Sequence, residues 1–177
     1  MTISGGTVTA TTAPTTGLNP AAGPDPSVRL GPMSCPATGS CVAAGSYTDV
    51  ANHRQGLIET FSGGTATPTT VPTTGLNPPA GTDPGVVLTS LSCPAAGSCV
   101  AVGNYTGASG NNQGLIETFS GGTATATTAP TTGLTLPAGS NPGLDTVVHG
   151  HPDSWSRVVS GNKHPGGDRH GDGHIFG

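Results

Sequence analysis

The chain has 177 residues, of which only 8% are charged, and its formal net charge is −4. A protein that binds nucleic acid needs a basic face with interleaved aromatic side chains, and five Lys and Arg with 3% aromatics do not supply one. The sequence contains no run of about 18 apolar residues, so it predicts no membrane span.

The N-terminal residues MTISGG lack a basic region followed by an apolar stretch, so the sequence predicts no signal peptide at this point. The first 27 residues begin partway through a repeated unit. We therefore expect a fragment of a longer secreted protein, located outside the cell or at the cell surface. The alternative is a cytosolic protein with free thiols.

A unit of 58 residues occurs twice. The segment that starts at Gly56 and ends at Thr65 returns unchanged from Gly114 to Thr123, an offset of 114 − 56 = 58. A fixed period of this length predicts a solenoid, a propeller or an array. The predicted organisation is a partial unit (outer strand and connector) at 1–27, full repeats at 28–85 and 86–143, and a tail at 144–177.

Within one unit, runs of apolar and β-branched residues between Gly and Pro clusters predict strands. One such run places Leu115, Glu117 and Phe119 on one face of a strand and Ile116 and Thr118 on the other. The Thr-Ala alternation of the last run is typical of a solvent-facing outer strand. In the second unit the four predicted strands are 86–93, 98–106, 113–120 and 123–128. A four-stranded unit of this size matches one blade of a β-propeller.

Two segments carry a shared motif, SCPATGSCVAAGSY at 34–47 and SCPAAGSCVAVGNY at 92–105. They resemble the S-C-P-x-x-G-x-C-x-A-x-G repeat of secreted actinobacterial proteins. The resemblance covers about residues 4–143 and implies a propeller-like fold and secretion, but it says almost nothing about a ligand.

The four cysteines form two pairs, Cys35 with Cys41 and Cys93 with Cys99, each enclosing a short turn. Four cysteines allow three connectivities. Pairing within each unit is favoured because it survives the addition or removal of repeats. The alternative is a metal site or redox pair, but zinc sites prefer closer spacing and histidines nearby. We predict two disulfides, no metal and no cofactor.

Residues 144–177 break the pattern and hold the only Trp and five of the six His. They predict a disordered tail that is either a decayed third unit or the product of a shifted reading frame. A metal site is the alternative interpretation of the tail. Its ligands would come from His149, His151, His164, His170, His174, Asp168 and Asp172.

The sequence contains no nucleophile elbow, no H-E-x-x-H and no phosphate-cradling loop. Glu59 and Glu117 are equivalent residues, each expected at an exposed strand position or hydrogen-bonded to a neighbouring blade. Together with Arg29 and Arg54 they are too few for the clusters of a propeller glycosidase or sialidase. We therefore predict no enzymatic activity and no catalytic residues.

The sequence as a whole predicts an all-β chain of tandem four-stranded antiparallel units, forming an incomplete β-propeller-like arc with a disordered C-terminal tail. The predicted function is a non-catalytic extracellular or cell-surface scaffold or binding surface, with protein or carbohydrate as its partner. Open edge strands predict self-association. The alternative is a fragment of a secreted carbohydrate-active or lyase-type propeller enzyme whose catalytic residues lie outside this chain.

Overall fold

In a computed structural model, the chain is all-β, and no helix occurs among the residues that the structure describes. These are residues 12–132 with their side chains and the backbone of four short strands at 2–4, 7–9, 142–144 and 159–161. The predicted tail, and the histidines proposed there as metal ligands, therefore lie outside the fully described region.

Two antiparallel four-stranded sheets form the described region, flanked by two antiparallel pairs of short strands. In both large sheets each strand pairs with the next one along the chain. The first pair is β1 (Thr2–Ser4) with β2 (Thr7–Thr9). The first sheet comprises β3 (Arg29–Ala37), β4 (Ser40–Thr48), β5 (Arg54–Ser62) and β6 (Thr65–Thr70). The second sheet comprises β7 (Val87–Ala95), β8 (Ser98–Thr106), β9 (Asn112–Ser120) and β10 (Thr123–Thr128). The last pair is β11 (Pro142–Leu144) with β12 (Val159–Gly161).

The strand predictions agree closely with these bounds. The predicted strands 98–106 and 123–128 are β8 and β10 without change. The prediction for β7 began one residue early and ended two residues early, and that for β9 began one residue late. As expected for an outer strand, β10 is an edge of its sheet, and Thr123, Thr125 and Thr127 are exposed.

The two sheets pack face to face, with β3 and β4 against β7. Between them lies one apolar core, because side chains alternate across each strand and every large sheet presents an apolar face. The first sheet contributes Val42, Ala44 and Ile58. From the second sheet come Leu88, Cys93, Cys99, Ala101, Tyr105, Leu115 and Phe119.

The connector between the sheets, residues 71–86, also enters this core through Val71, Leu76 and Val86. A Cβ added to Gly56 would lie 2.6 Å from Val86 Cγ1 and 2.7 Å from Val71 Cβ. Such contacts are too short for any real side chain, so only glycine allows the connector to lie against β5 at this point.

Each connector docks on the sheet that follows it in the chain. The buried Tyr47 hydroxyl donates to the Pro20 carbonyl at 2.6 Å and lies 3.0 Å from Thr70 Oγ1. Tyr105 repeats the arrangement with the Pro78 carbonyl at 2.6 Å and Thr128 Oγ1 at 2.8 Å. A buried tyrosine hydroxyl needs such partners, so this pair of hydrogen bonds fixes the path of both connectors.

The glycines of the shared motif have structural causes. A Cβ on Gly45 would overlap the Arg29 carbonyl, and one on Gly103 would overlap the Val87 carbonyl. The turn glycines Gly39 and Gly97 have φ of 72° and 74°, which side chains rarely adopt. The glycines of the motif are therefore required by a close approach of two backbones and by a tight turn.

Candidate functional site

Both predicted disulfides are present, Cys35–Cys41 and Cys93–Cys99, each spanning six residues. They join adjacent strands of one sheet across the turn that connects them. Their surroundings differ, because Cys35 is exposed whereas Cys93 and Cys99 are buried between the two sheets.

The prediction for the two glutamates was wrong. Glu59 and Glu117 are both fully buried, and none of their carboxyl oxygens has a hydrogen-bond partner. Glu117 pairs with Ala101 across the strands, on the face of the second sheet that packs against the first. A strand pattern gives the face of each residue but does not show that another sheet covers that face.

Burial without partners changes the acidity of both groups, because a low-dielectric environment disfavours the charged form. It raises the pKa of Glu59 to about 7. It raises the pKa of Glu117 to about 8, with a smaller opposing effect from the backbone of Thr125. The register places Glu59 and Glu117 on corresponding faces of successive sheets, so the first sheet lies between them. The structure does not bring them together as an acid–base pair.

All the other charged side chains of residues 12–132 lie at one end of the sheets, opposite the cysteine turns. We call this end the loop edge; it consists of residues 23–29, 48–54 and 81–85. Backbone hydrogen bonds hold its segments together, from Gly23 N to the Thr48 carbonyl at 2.9 Å and from Thr48 N to the Pro26 carbonyl at 2.6 Å. The charged residues there are Asp25, Arg29, Asp49, Arg54 and Asp83.

A polar groove of about 350 Å³ opens at the loop edge. It brings together residues from four separate parts of the sequence, including two arginines. Its lining consists of Ser27, Arg29, Ser46, Tyr47, Thr48, Asn52, Arg54 and Asp83. The volume is in the range of small-molecule sites, but the lining is far more polar than usual.

Hydrogen bonds fix one side of the groove. The Arg54 side chain donates from Nε to Ser46 Oγ at 3.1 Å, and its backbone N–H donates to Asp83 Oδ1 at 2.9 Å. The same Asp83 oxygen accepts from Gly85 N at 3.2 Å. Asp83 belongs to the connector that leads into the second sheet, so the groove lies at the junction of the two sheets.

A second acidic residue shapes the loop that carries Asn52. The Asp49 carboxylate accepts hydrogen bonds from Ala51 N and His53 N, both at 2.9 Å, and from Gln55 Nε2 at 2.8 Å. Burial raises the pKa of Asp49, but these hydrogen bonds outweigh it, so the net pKa is below the ordinary value. The charged carboxylate therefore stabilises this loop.

The groove was not predicted from the sequence, although Arg29 and Arg54 were noted. The signal lay in the difference between the repeats, because the second unit has Val87 and Asn112 at the equivalent positions.

In residues 12–132, no group of three His, Cys, Asp or Glu side chains could hold a metal ion. No helix in the described part of the chain is long and apolar enough to cross a membrane. No protein-family model, curated protein or solved structure matches the chain.

Proposed function

We propose that this chain is a non-catalytic binding segment built as an arc of a β-propeller, acting outside the cell or at the cell surface. The observation that carries the proposal is the polar groove at the loop edge, which two arginines line beside the stacked sheets. Loops held by a rigid scaffold are where binding residues concentrate in proteins.

The packing of the sheets supports the propeller arrangement. In a propeller, four-stranded sheets are arranged radially around a central axis. Here β7 contacts both β3 and β4, so the first strands of the two units lie near each other. The stacked sheets, with β6 and β10 at the opposite edges, fit two neighbouring blades.

The disulfides support the location. Disulfides persist in oxidising compartments and are rare in the cytosol. This chain has two, and none of its four cysteines is free. A small extracellular protein with few large apolar residues per unit gains stability from such bonds.

The test is binding of the full chain to arrays of glycans and peptides, compared with the double variant Arg29→Val and Arg54→Asn. These replacements are the residues that the second unit carries at the same positions, so the fold should tolerate them. We expect one class of ligand to bind the wild-type chain and to be lost in the variant, and mass spectrometry should recover the ligand unchanged. Conversion of the ligand to a product, or binding unaffected by the double variant, would contradict the proposal.

A further inference from the structure

The two units differ most at the groove. Over Gly56–Thr65 and Gly114–Thr123 the units are identical, yet six of the eight groove-lining residues differ from the residues 58 positions later, and only Tyr47 and Thr48 are unchanged. Ser27 and Asn52 correspond to Gly85 and Gly110, an offset of 58 in each case. The groove therefore carries functional groups at two positions where the sequence has glycine 58 residues later.

These two residues also have unusual backbones. Ser27 has φ of 43° and Asn52 has φ of 69°, and they are the only residues other than glycine with positive φ among those described. Gly85 and Gly110 have the same sign, with φ of 51° and 79°. Glycine is the low-cost choice at such positions, and side chains held there concentrate at functional sites. The groove therefore has this backbone cost at two of its lining residues.

The groove carries a net positive charge, because its lining has two arginines and one aspartate, Asp83. In residues 12–132, no carboxylate lies within 4.0 Å of the guanidinium of Arg29 or Arg54. The nearby Asp83 carboxylate already accepts two backbone N–H groups. Arginine binds carboxylates through paired, charge-assisted hydrogen bonds. An anionic group is therefore the ligand feature that this groove fits.

The rest of the lining fits hydroxyl groups. Ser27 and Thr48 offer hydroxyls and Asn52 offers an amide, all able both to donate and to accept, whereas the Ser46 hydroxyl is buried and accepts from Arg54 Nε. The one aromatic residue, Tyr47, is buried with its hydroxyl bonded to Pro20, so it presents no exposed ring for stacking. No aliphatic side chain lines the groove. This disfavours a peptide with apolar side chains and favours a ligand rich in hydroxyls.

We infer that the groove binds an acidic saccharide, with the sugar carboxylate held by Arg29 and Arg54 and the sugar hydroxyls held by Ser27 and Asn52. The inference rests on the proposed binding function and names the chemical class of its ligand. One uronate residue presents a carboxylate and several hydroxyls on a single ring, which matches this set of groups.

The experiment is isothermal titration of the full chain with an oligogalacturonate and with its methyl ester, which removes the charge and keeps every hydroxyl. We expect the acid to bind and the affinity for the ester to be lower by roughly tenfold or more, because hydrogen bonds to charged groups are stronger than neutral ones. Arg29→Val with Arg54→Asn should produce a similar loss. Asn112→Ser, at the equivalent site of the second unit, is the control and should leave affinity unchanged.

Asn52→Gly provides a second variant that we expect to fold, because glycine adopts positive φ freely and Gly110 occupies the equivalent position. It should weaken binding severalfold with unchanged circular dichroism. Equal affinity for the acid and the ester, preference for an acidic peptide, or no binding of the oligogalacturonate would overturn the inference. If the arrays identify a different ligand whose binding is lost in the arginine variant, the proposed binding function stands and only the inference of an acidic saccharide fails. If the arrays show none, both fail.

Discussion

Glu117 is a fully buried acidic residue in the core of the described region. It lies between two sheets with no partner for either carboxyl oxygen. A buried carboxyl of this kind is tolerated when it is neutral and costs free energy when it ionises. The acidity of this one group therefore connects the packing of the two sheets to the pH of the surroundings.

Stability should fall as pH rises from about 5 to 8. The folded state keeps the Glu117 proton up to a pKa of about 8, whereas an ordinary Glu loses it near 4.5. Between these values the folded state binds the extra proton, so the unfolding free energy decreases by at most about 1.4 kcal/mol per pH unit. Glu59 contributes in the same direction up to about pH 7.

The measurement is urea denaturation of wild-type chain and Glu117→Gln at pH 5 and pH 8. The variant should be the more stable chain at pH 8 and should show a shallower dependence on pH. The matched substitution Glu59→Gln should reduce the dependence of the unfolding free energy on pH chiefly below pH 7. A wild-type stability that stays constant or rises over this range would show that the two carboxyls are solvated or paired.

The alternating pattern of a strand determines which side chains share a face but not what covers that face. Alternation predicted correctly that Leu115, Glu117 and Phe119 share a face, because the period of two is local. It did not predict that Glu117 is buried, since that depends on the first sheet and on the connector at residues 71–86. The groove escaped prediction for the same reason, because Arg29, Arg54 and Asp83 meet only after the strands pair.

The two hairpin disulfides should differ in their resistance to reduction. Both have the same spacing and the same turn, but Cys93 and Cys99 are buried by the stacked sheets while Cys35 is exposed. Because thiol–disulfide exchange requires access to a sulfur atom, we expect Cys35–Cys41 to be reduced roughly tenfold faster under native conditions.

The measurement is timed reduction with dithiothreitol, alkylation and peptide mass spectrometry. Repeating it in denaturant supplies the control, because both bonds should then react at similar rates. Equal rates under native conditions would mean that the two sheets separate faster than the reductant attacks, so that stacking gives the second bond no protection.

At the scale of the whole molecule, the second sheet leaves one apolar face incompletely covered. Val42 and Ile58 are buried in the first sheet, whereas their counterparts Val100 and Ile116 are only half-buried. The short strand β11 lies beside β8 and β9 but does not bury these side chains fully. A face of this kind favours contact with another sheet.

We expect the chain to self-associate through this face. Light scattering after size-exclusion chromatography should show an average mass that rises with protein concentration. Ile116→Ser should reduce the association, while Val50→Ser, which removes a residue 67% exposed in a loop, should not. A compact monomer at every concentration would contradict both this expectation and the open propeller arc.

Asp83 gives the groove a property that neither unit has alone. It reaches the Arg54 backbone from the connector that leads into the second sheet, so the groove is complete only while the two units remain stacked. Thermodynamic linkage then requires that any ligand of the groove also resist separation of the units. Occupancy would stiffen the junction, and tension that pulls the units apart would release the ligand.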